Sequence, residues 1–262
     1  MRVTAPNRES LPGTRPEGAA NEREAAGHVR EMFSRIAPRY DFLNHVLSLE
    51  MDRIWRRRAA QRFRHILSRE NASVLDLCCG TGDLLLALAR GGRAKVFGSD
   101  FAHPMLVRAA EKWERLRREP GGHRRPCFLA EADALALPFG DGTFDLVTAA
   151  FGFRNLANYE SGLREIRRAL RPGGEAGIVE FSEPRGALFG PLFQFYFRSI
   201  LPRLGGMISG DGSAYSYLPN SVGRFPSPEE LAKLMQQAGF TDVSFERWTS
   251  GTVTLHRGRR AG

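Results

Sequence analysis

Residues 74–83 read Val-Leu-Asp-Leu-Cys-Cys-Gly-Thr-Gly-Asp, an apolar run that carries one acid, Asp76, and breaks into a glycine-rich turn. A helix is expected directly behind it, Leu84 to Arg90. Gly80 and Gly82 permit a tight turn and a close approach of the backbone to a ligand, which a Cβ would obstruct. A second apolar run, Ala94 to Gly98, ends in Ser99-Asp100. An acid there, about twenty residues beyond the turn, suits the hydroxyls of an adenosine ribose. The pattern describes a site for a nucleoside-containing cofactor. Its plain alternative is a structural glycine turn in another α/β protein.

The nucleoside can be narrowed. A nicotinamide dinucleotide site carries a third small residue in G-x-G-x-x-G/A for close helix–strand packing. Counted from Gly80, that position is Leu85, and Asp83 at the head of the helix would repel a pyrophosphate. S-adenosylmethionine (SAM) has no phosphate and carries an ammonium and a sulfonium. Asp76 and Asp83 suit that charge. The residues favour SAM over NAD.

The chain of 262 residues is ordinary for one α/β domain. Its three cysteines, Cys78, Cys79 and Cys127, have no zinc-type spacing and no pairing pattern. No metal site is expected, and the thiols read as small buried residues or incidental groups in a reducing compartment. The first residues lack the apolar core of a secretory signal, so the expected localisation is cytoplasmic. The net charge of +9 gathers in two groups, Arg53, Arg56, Arg57, Arg58, Arg62, Arg64 and Arg115, Arg117, Arg118, Arg124, Arg125. No stacking aromatics are interleaved as in single-strand binders, which argues against nucleic acid. A solvated face and an anionic lipid surface both stay open.

Residues 1–22 are rich in Pro, Gly, Arg and Glu without periodicity and predict a disordered leader before a single domain, 23–262. A helix should follow through Ile36, ended by Pro38. Leu49 to Leu67 reads as one amphipathic helix with Trp55, Ala59, Phe63 and Ile66 on its stripe. Next come a helix from Pro104 to Arg118, a third strand at Cys127 to Ala130 and a fourth at Phe144 to Ala150. Helix Tyr159 to Leu170 stops at Arg171-Pro172-Gly173-Gly174 and releases strand Ala176 to Phe181. Strands alternating with helices imply a mostly parallel sheet covered on both faces. Residues 187–208 are long and aromatic, but Pro191, Arg198, Pro202 and Arg203 argue against a membrane span. They read as a cover over the site or as a core helix. Helix Pro228 to Ala238 leads to strands Val243 to Trp248 and Thr252 to Leu255, spaced to pair as a hairpin.

Three further blocks carry a family resemblance. Tyr40-Asp41-Phe42-Leu43-Asn44 with Ser48 and Trp55 is the first, and Arg168 to Gly174 running on to Glu180-Phe181-Ser182 is the second. The third is Tyr215 to Ser221 with Phe225-Pro226 and the closing Leu255-His256-Arg257-Gly258. From about Met32 to Arg257 the chain resembles the ubiquinone/menaquinone biosynthesis C-methyltransferase family. Leu43 replaces the signature's methionine, and Asp52 stands where the signature has histidine, so no role is transferred there. Ala150 stands where some ubiquinone-type relatives carry a serine, which tilts the acceptor toward demethylmenaquinone.

The resemblance implies an α/β class I SAM-dependent methyltransferase, Rossmann-like, with a mostly parallel seven-stranded sheet, a C-terminal β-hairpin and an added helical cover (24–69 and 187–226). It implies that Thr81, Asp100 and the Asp133-Ala134 pair contact the cofactor. From the residues alone, Asp133 follows the third strand, where an acid can accept from the adenine amino group or cap a turn. The implied reaction is methylation of a ring carbon in a reduced polyprenyl quinone. Arg154 is a candidate to hold the developing phenolate, or is a salt-bridge arginine. Asp41 or Glu180 are candidates to take the proton, and His45 is a lone histidine of lesser weight. Tyr40, Asn155, Tyr215 and Tyr217 are expected to shape the acceptor pocket. A polyprenyl tail implies contact with an anionic membrane surface at its inner face. A homodimer is left open. So are a different methyl acceptor (another lipid, a small phenol, RNA) and a non-catalytic nucleoside-binding protein.

Overall fold

Ser73–Leu77 forms the central strand β1, and all five of its residues are buried. A parallel strand covered by helices on both faces requires this pattern. The structure, a computed structural model, describes residues 13–16, 18–120, 125–184, 217 and 220–262. Around β1 the elements run α1 (Glu22–Ile36), α2 (Tyr40–Leu47), α3 (Met51–Arg62), α4 (Arg64–Leu67), β1, α5 (Asp83–Arg90) and β2 (Lys95–Asp100). Then follow α6 (His103–Arg118), β3 (Phe128–Glu131), β4 (Phe144–Ala150), a 3-10 turn (Phe153–Asn155), α7 (Tyr159–Ala169) and β5 (Leu170–Phe181). The chain closes with α8 (Pro228–Gln237), β6 (Phe240–Trp248) and β7 (Val253–Arg260).

The seven strands form one sheet in the order β3-β2-β1-β4-β5-β7-β6. Strands β1 to β5 pair in parallel. β7 lies antiparallel between β5 and β6, so the expected hairpin is present. The period of two along the strands sorts side chains between two cores. Leu75, Leu77, Val147 and Ala149 pack with residues of α7 and α8, including Leu163, Ile166, Leu231 and Met235. Val74 and Leu146 face the other way, with Trp55, Phe63, Leu84 and Leu88 of the first helices and α5.

Three expectations need correction. The helix read over 49–67 begins at Met51 and breaks at Phe63. The fully buried Phe63 ring lies where a Cβ on Gly177 of β5 would stand, 2.5 Å from the Phe63 Cζ, so the helix gives way to seat the ring on the sheet. The stripe itself is right: Trp55, Ala59, Phe63 and Ile66 are all buried. Arg171-Pro172-Gly173-Gly174 does not precede the strand but forms an irregularity within β5, where the register with β4 shifts between Phe144 and Leu146. Gly173 has φ +76°, a conformation that favours a residue without Cβ. The leader, finally, is not structureless throughout. Thr14 is buried and its N–H donates to the Leu156 carbonyl at 2.8 Å. A Cβ on Gly13 would lie 2.2 Å from the Ala157 carbonyl carbon, a slot that only glycine fits.

Segment 187–208, Tyr215 and most of the second part of the expected cover, 187–226, lie outside the described residues, whereas its first part, 24–69, is described. No helix among the described residues is long and apolar enough to cross a membrane.

Candidate active site

The chain passes from β3 back across the sheet to β4, so the strand order reverses between β1 and β4. Open α/β sheets bind ligands at that point, outside the carboxyl ends of the strands. A pocket lies there, lined by the residues that follow β1 (Cys78 to Thr81), β2 (Phe101), β3 (Ala132 to Leu135) and β4 (Phe151, Gly152), with Phe33, Tyr40 and Arg56 from the first helices.

The glycine turn is bent by positive φ at Cys78 (52°), Gly80 (54°) and Gly82 (86°). It is pinned to β2: Cys79 N–H donates to the Ser99 carbonyl at 2.9 Å, and Gly80 N–H to Asp100 Oδ2 at 2.8 Å. Leu85, which stands where a dinucleotide site has its third small residue, is fully buried. The strand supplies the room instead, since a Cβ on Gly98 would lie 3.3 Å from Leu85 Cδ1 and 2.8 Å from Leu129 Cδ2. Tyr40 packs on the turn, with Cε1 3.9 Å from the place of a Gly80 Cβ.

Of the expected cofactor residues, Asp76, Gly80, Thr81, Asp100, Asp133 and Ala134 line this pocket, and Gly82 caps α5 behind it. Asp76 is 1% exposed; Thr148 donates to its Oδ1 at 3.2 Å, and its Oδ2 has no hydrogen-bond partner among the described residues. Burial pushes its carboxyl up to about 8. Asp100 accepts from Gly80 and Ala102 N–H groups, yet burial outweighs them and lifts it to about 6. Asp133 Oδ1 accepts from Leu135 N–H at 2.9 Å, so the turn-capping reading holds while the residue also faces the pocket. Burial likewise raises the Cys78 and Cys79 thiols well above their ordinary range, which leaves them inert.

Thr81 and Asp83 belong to a charge network. The Thr81 hydroxyl donates to Asp41, and Lys112 of α6 reaches Thr81 (2.9 Å), Asp41 (2.7 Å) and Asp83 (2.5 Å). Arg56 pairs with Asp52 and lies 3.7 Å from Asp83. Asp52 also accepts from Ser48 at 2.8 Å and lies 2.9 Å from His45 Nδ1. Burial alone would raise Asp52, but Arg56 and these hydrogen bonds hold it below the ordinary carboxylate value. His45, Asp52 and Asp83 bring ligand-type atoms within 4.8 Å of one another, and the Arg56 cation already compensates both acids. Asp41 thus ties α2 to the glycine turn. His45 is a partner of Asp52.

Arg56 and Lys112 were not singled out by sequence. The run of arginines left a solvated face and an anionic lipid surface open, yet Arg56 is buried at the pocket wall. Its readable signal is the spacing of four from Asp52 and its place beside buried Trp55. In the second arginine group, Arg117 and Arg125 pair with surface acids Glu114 and Glu70 as a solvated face would.

Arg154 and Glu180 form a buried ion pair at 3.0 Å. Arg154 also donates to the Phe151 carbonyl, and Glu180 Oε1 accepts from the Arg154 backbone N–H at 3.0 Å. Burial would lower the guanidinium, but the Glu180 charge outweighs it and keeps it protonated. The salt-bridge alternative for Arg154 is therefore the geometry present. Asn155, the next residue, lines the pocket and accepts from the Tyr217 hydroxyl at 3.1 Å; Thr14 Oγ1 lies 2.9 Å from that hydroxyl.

The residues fit SAM. Asp76, with one oxygen unpartnered among the described residues, and the acids of the network are complementary to its cationic groups, the buried Arg56 cation to a carboxylate, and Asp100, at the end of β2, offers an acceptor to a ribose. Sheet order and site together define a class I SAM-dependent methyltransferase. A family model, the ubiE/COQ5 methyltransferase family, matches residues 19–260, and the chain belongs to that family. It is 50% identical over 230 residues to a demethylmenaquinone methyltransferase of Thermus thermophilus, covering 87% of this chain and 100% of that one. It is 44% identical to the ubiquinone/menaquinone biosynthesis C-methyltransferase UbiE of Geobacter sulfurreducens, covering 90% of each. Among solved structures it resembles a SAM-dependent methyltransferase of Thermotoga maritima (TM-score 0.58, 18% identity, 88% and 99% covered). It also resembles the cyclase SpnF (TM-score 0.63, 18% identity, 90% and 97% covered). These last two share the fold alone, which hosts more than one chemistry.

Proposed function

We propose that this enzyme methylates a ring carbon of a reduced polyprenyl quinone, with demethylmenaquinol as its acceptor. The observation that carries the reading is the 50% identity to a demethylmenaquinone methyltransferase along that protein's whole length. Ala150, which lines the pocket, supports the menaquinone side. The corresponding ubiquinone-pathway methylation is the second reading, favoured by relatives named for both pathways.

Bound SAM supplies an electrophilic methyl group. The chain's task is to bring a nucleophilic ring carbon in line with it, and such positioning supplies a large part of the acceleration. The ring carbon becomes nucleophilic when an adjacent hydroxyl ionises, which for an isolated phenol needs a pH of roughly 10. Arg154, kept charged by Glu180, lies beside pocket-lining Asn155 and favours the phenolate by its field; its Nε has no acceptor among the described residues. Glu180 serves as counter-ion rather than base. Asp41, committed to Thr81 and Lys112, positions α2. Asn155 and Tyr217 orient the acceptor oxygen. Phe33, Phe151 and Leu156 exclude water, and a dry wall favours a step in which phenolate and sulfonium charges neutralise each other.

The quinone profile of a strain lacking this protein tests the reading. Accumulated demethylmenaquinone is expected; an unchanged profile contradicts it. The enzyme acts from the membrane surface in this reading, since its acceptor's tail is dissolved there.

A further inference from the structure

Of the six exposed large apolar side chains among the described residues, four come from one stretch: Phe42 (60% exposed), Val46 (39%), Leu49 (76%) and Ile54 (53%). Phe42 and Val46 are one turn apart on α2 and share a face. Leu49 stands in the turn between α2 and α3, and Ile54 in the first turn of α3. The inner face of α2 is apolar too: Leu43 is fully buried against Met32, Ile36 and Met105, and Tyr40 walls the pocket. Helix α2 therefore carries an apolar outer face besides its apolar inner one, with Asp41 and His45 on its flanks held in the charge network, and an exposed apolar face of this kind marks an interaction site.

The turn adds an independent observation. Leu49 and Glu50 both have positive φ, 52° and 63°. This left-handed conformation is unfavourable for residues with a Cβ. The fold accepts it at the position that holds a leucine in water. Neither strain nor exposure benefits the isolated protein. The flank is cationic: Arg57 and Arg58 are exposed on α3 and share a surface groove with Ile54, while the exposed Arg53 pairs with Glu50 of the turn at 2.9 Å.

We propose that the α2–α3 elbow is a membrane-docking wedge. Phe42, Val46, Leu49 and Ile54 enter the boundary between headgroups and acyl chains of an anionic bilayer, and Arg57 and Arg58 lie against lipid phosphates. The choice of a bilayer as partner rests on the quinol reading above. Because the opposite face of α2 walls the pocket, docking by this face sets the site one helix diameter, about 10 Å, from the lipid.

The test is co-sedimentation of the full chain with phosphatidylglycerol/phosphatidylcholine vesicles, without substrate, beside S-adenosylhomocysteine binding. Wild type is expected to bind, less at high salt and less on pure phosphatidylcholine. Phe42→Gln with Leu49→Gly is expected to lose about tenfold in partitioning while keeping S-adenosylhomocysteine affinity. Leu49→Gly alone relieves the positive φ, so it should unfold at a higher temperature than wild type while binding vesicles more weakly. A residue with a merely structural role cannot give that combination. Vesicle binding absent in wild type, or unchanged in the variants, overturns the proposal. So does a dimer in sedimentation velocity that the variants dissociate without altering vesicle binding, which would make the elbow a self-association surface. Each failure leaves S-adenosylhomocysteine binding and methyl transfer intact, so it is distinguishable from failure of the quinol reading.

Discussion

The Arg154 guanidinium lies 3.0 Å from the Glu180 carboxylate, with side chains only 6% and 0% exposed. Breaking such a pair from one side leaves an uncompensated buried charge. Glu180→Ala is expected to cost about 3–5 kcal/mol of stability, read as a fall in unfolding temperature. Glu180→Gln keeps an acceptor for the Arg154 N–H and should cost less while retaining measurable turnover. Loss of turnover in Glu180→Gln with stability intact would instead make Glu180 the base.

Arg56 is the buried cation of the pocket wall. S-adenosylhomocysteine should bind wild type more tightly than its decarboxylated analogue by roughly ten- to a hundredfold, the worth of one charge-assisted hydrogen bond. Arg56→Met combined with Asp52→Asn removes both halves of the ion pair and should bind the two ligands nearly alike. Calorimetry on the four combinations reads the difference.

Asp76 gives the pH dependence. Its carboxyl is raised from 3.8 to about 8 by burial, so the folded ligand-free protein holds a proton at neutral pH that the unfolded chain has released. Stability from this group is therefore full below pH about 4 and declines as pH rises to about 8. Asp100, raised to about 6, adds to the lower part of the same window. A bound ammonium favours ionised Asp76, so cofactor binding at pH 7 should release a proton. Titration in buffers of different ionisation enthalpy measures it, and Asp76→Asn should abolish most of the release.

Tyr217 donates to the pocket-lining Asn155, and its hydroxyl lies 2.9 Å from Thr14 Oγ1. Tyr217→Phe should cost about 1 kcal/mol, raise the acceptor KM several-fold and leave S-adenosylhomocysteine affinity unchanged. An unchanged KM would remove Asn155 and Tyr217 from the acceptor site.

The cofactor half was legible because its chemistry is local. A strand, a turn at Gly80 and Gly82 and an acid at the end of the next strand occur within one βαβ unit, and the structure brings them together, with Gly80 N–H donating to Asp100. Leu85 was legible as an oddity; its explanation, Gly98, lies on the neighbouring strand. Arg154 with Glu180 was half-legible. The two follow or end adjacent parallel strands, and the register pairs Ala150 with Val179, but a sequence does not state register. The network through Lys112 was not legible, since it joins α2, the turn and α6 over long separations. Phe63 broke its helix for a glycine in β5, a packing demand that helical periodicity cannot contain.

Methyl transfer from labelled SAM by the purified enzyme, to demethylmenaquinol and to 2-methoxy-6-polyprenyl-1,4-benzoquinol in detergent or vesicles, tests the central claim most directly. The expected result is label on the ring carbon of demethylmenaquinol, at a higher kcat/KM than for the benzoquinol. No label in either quinol, from enzyme that binds S-adenosylhomocysteine, would contradict it.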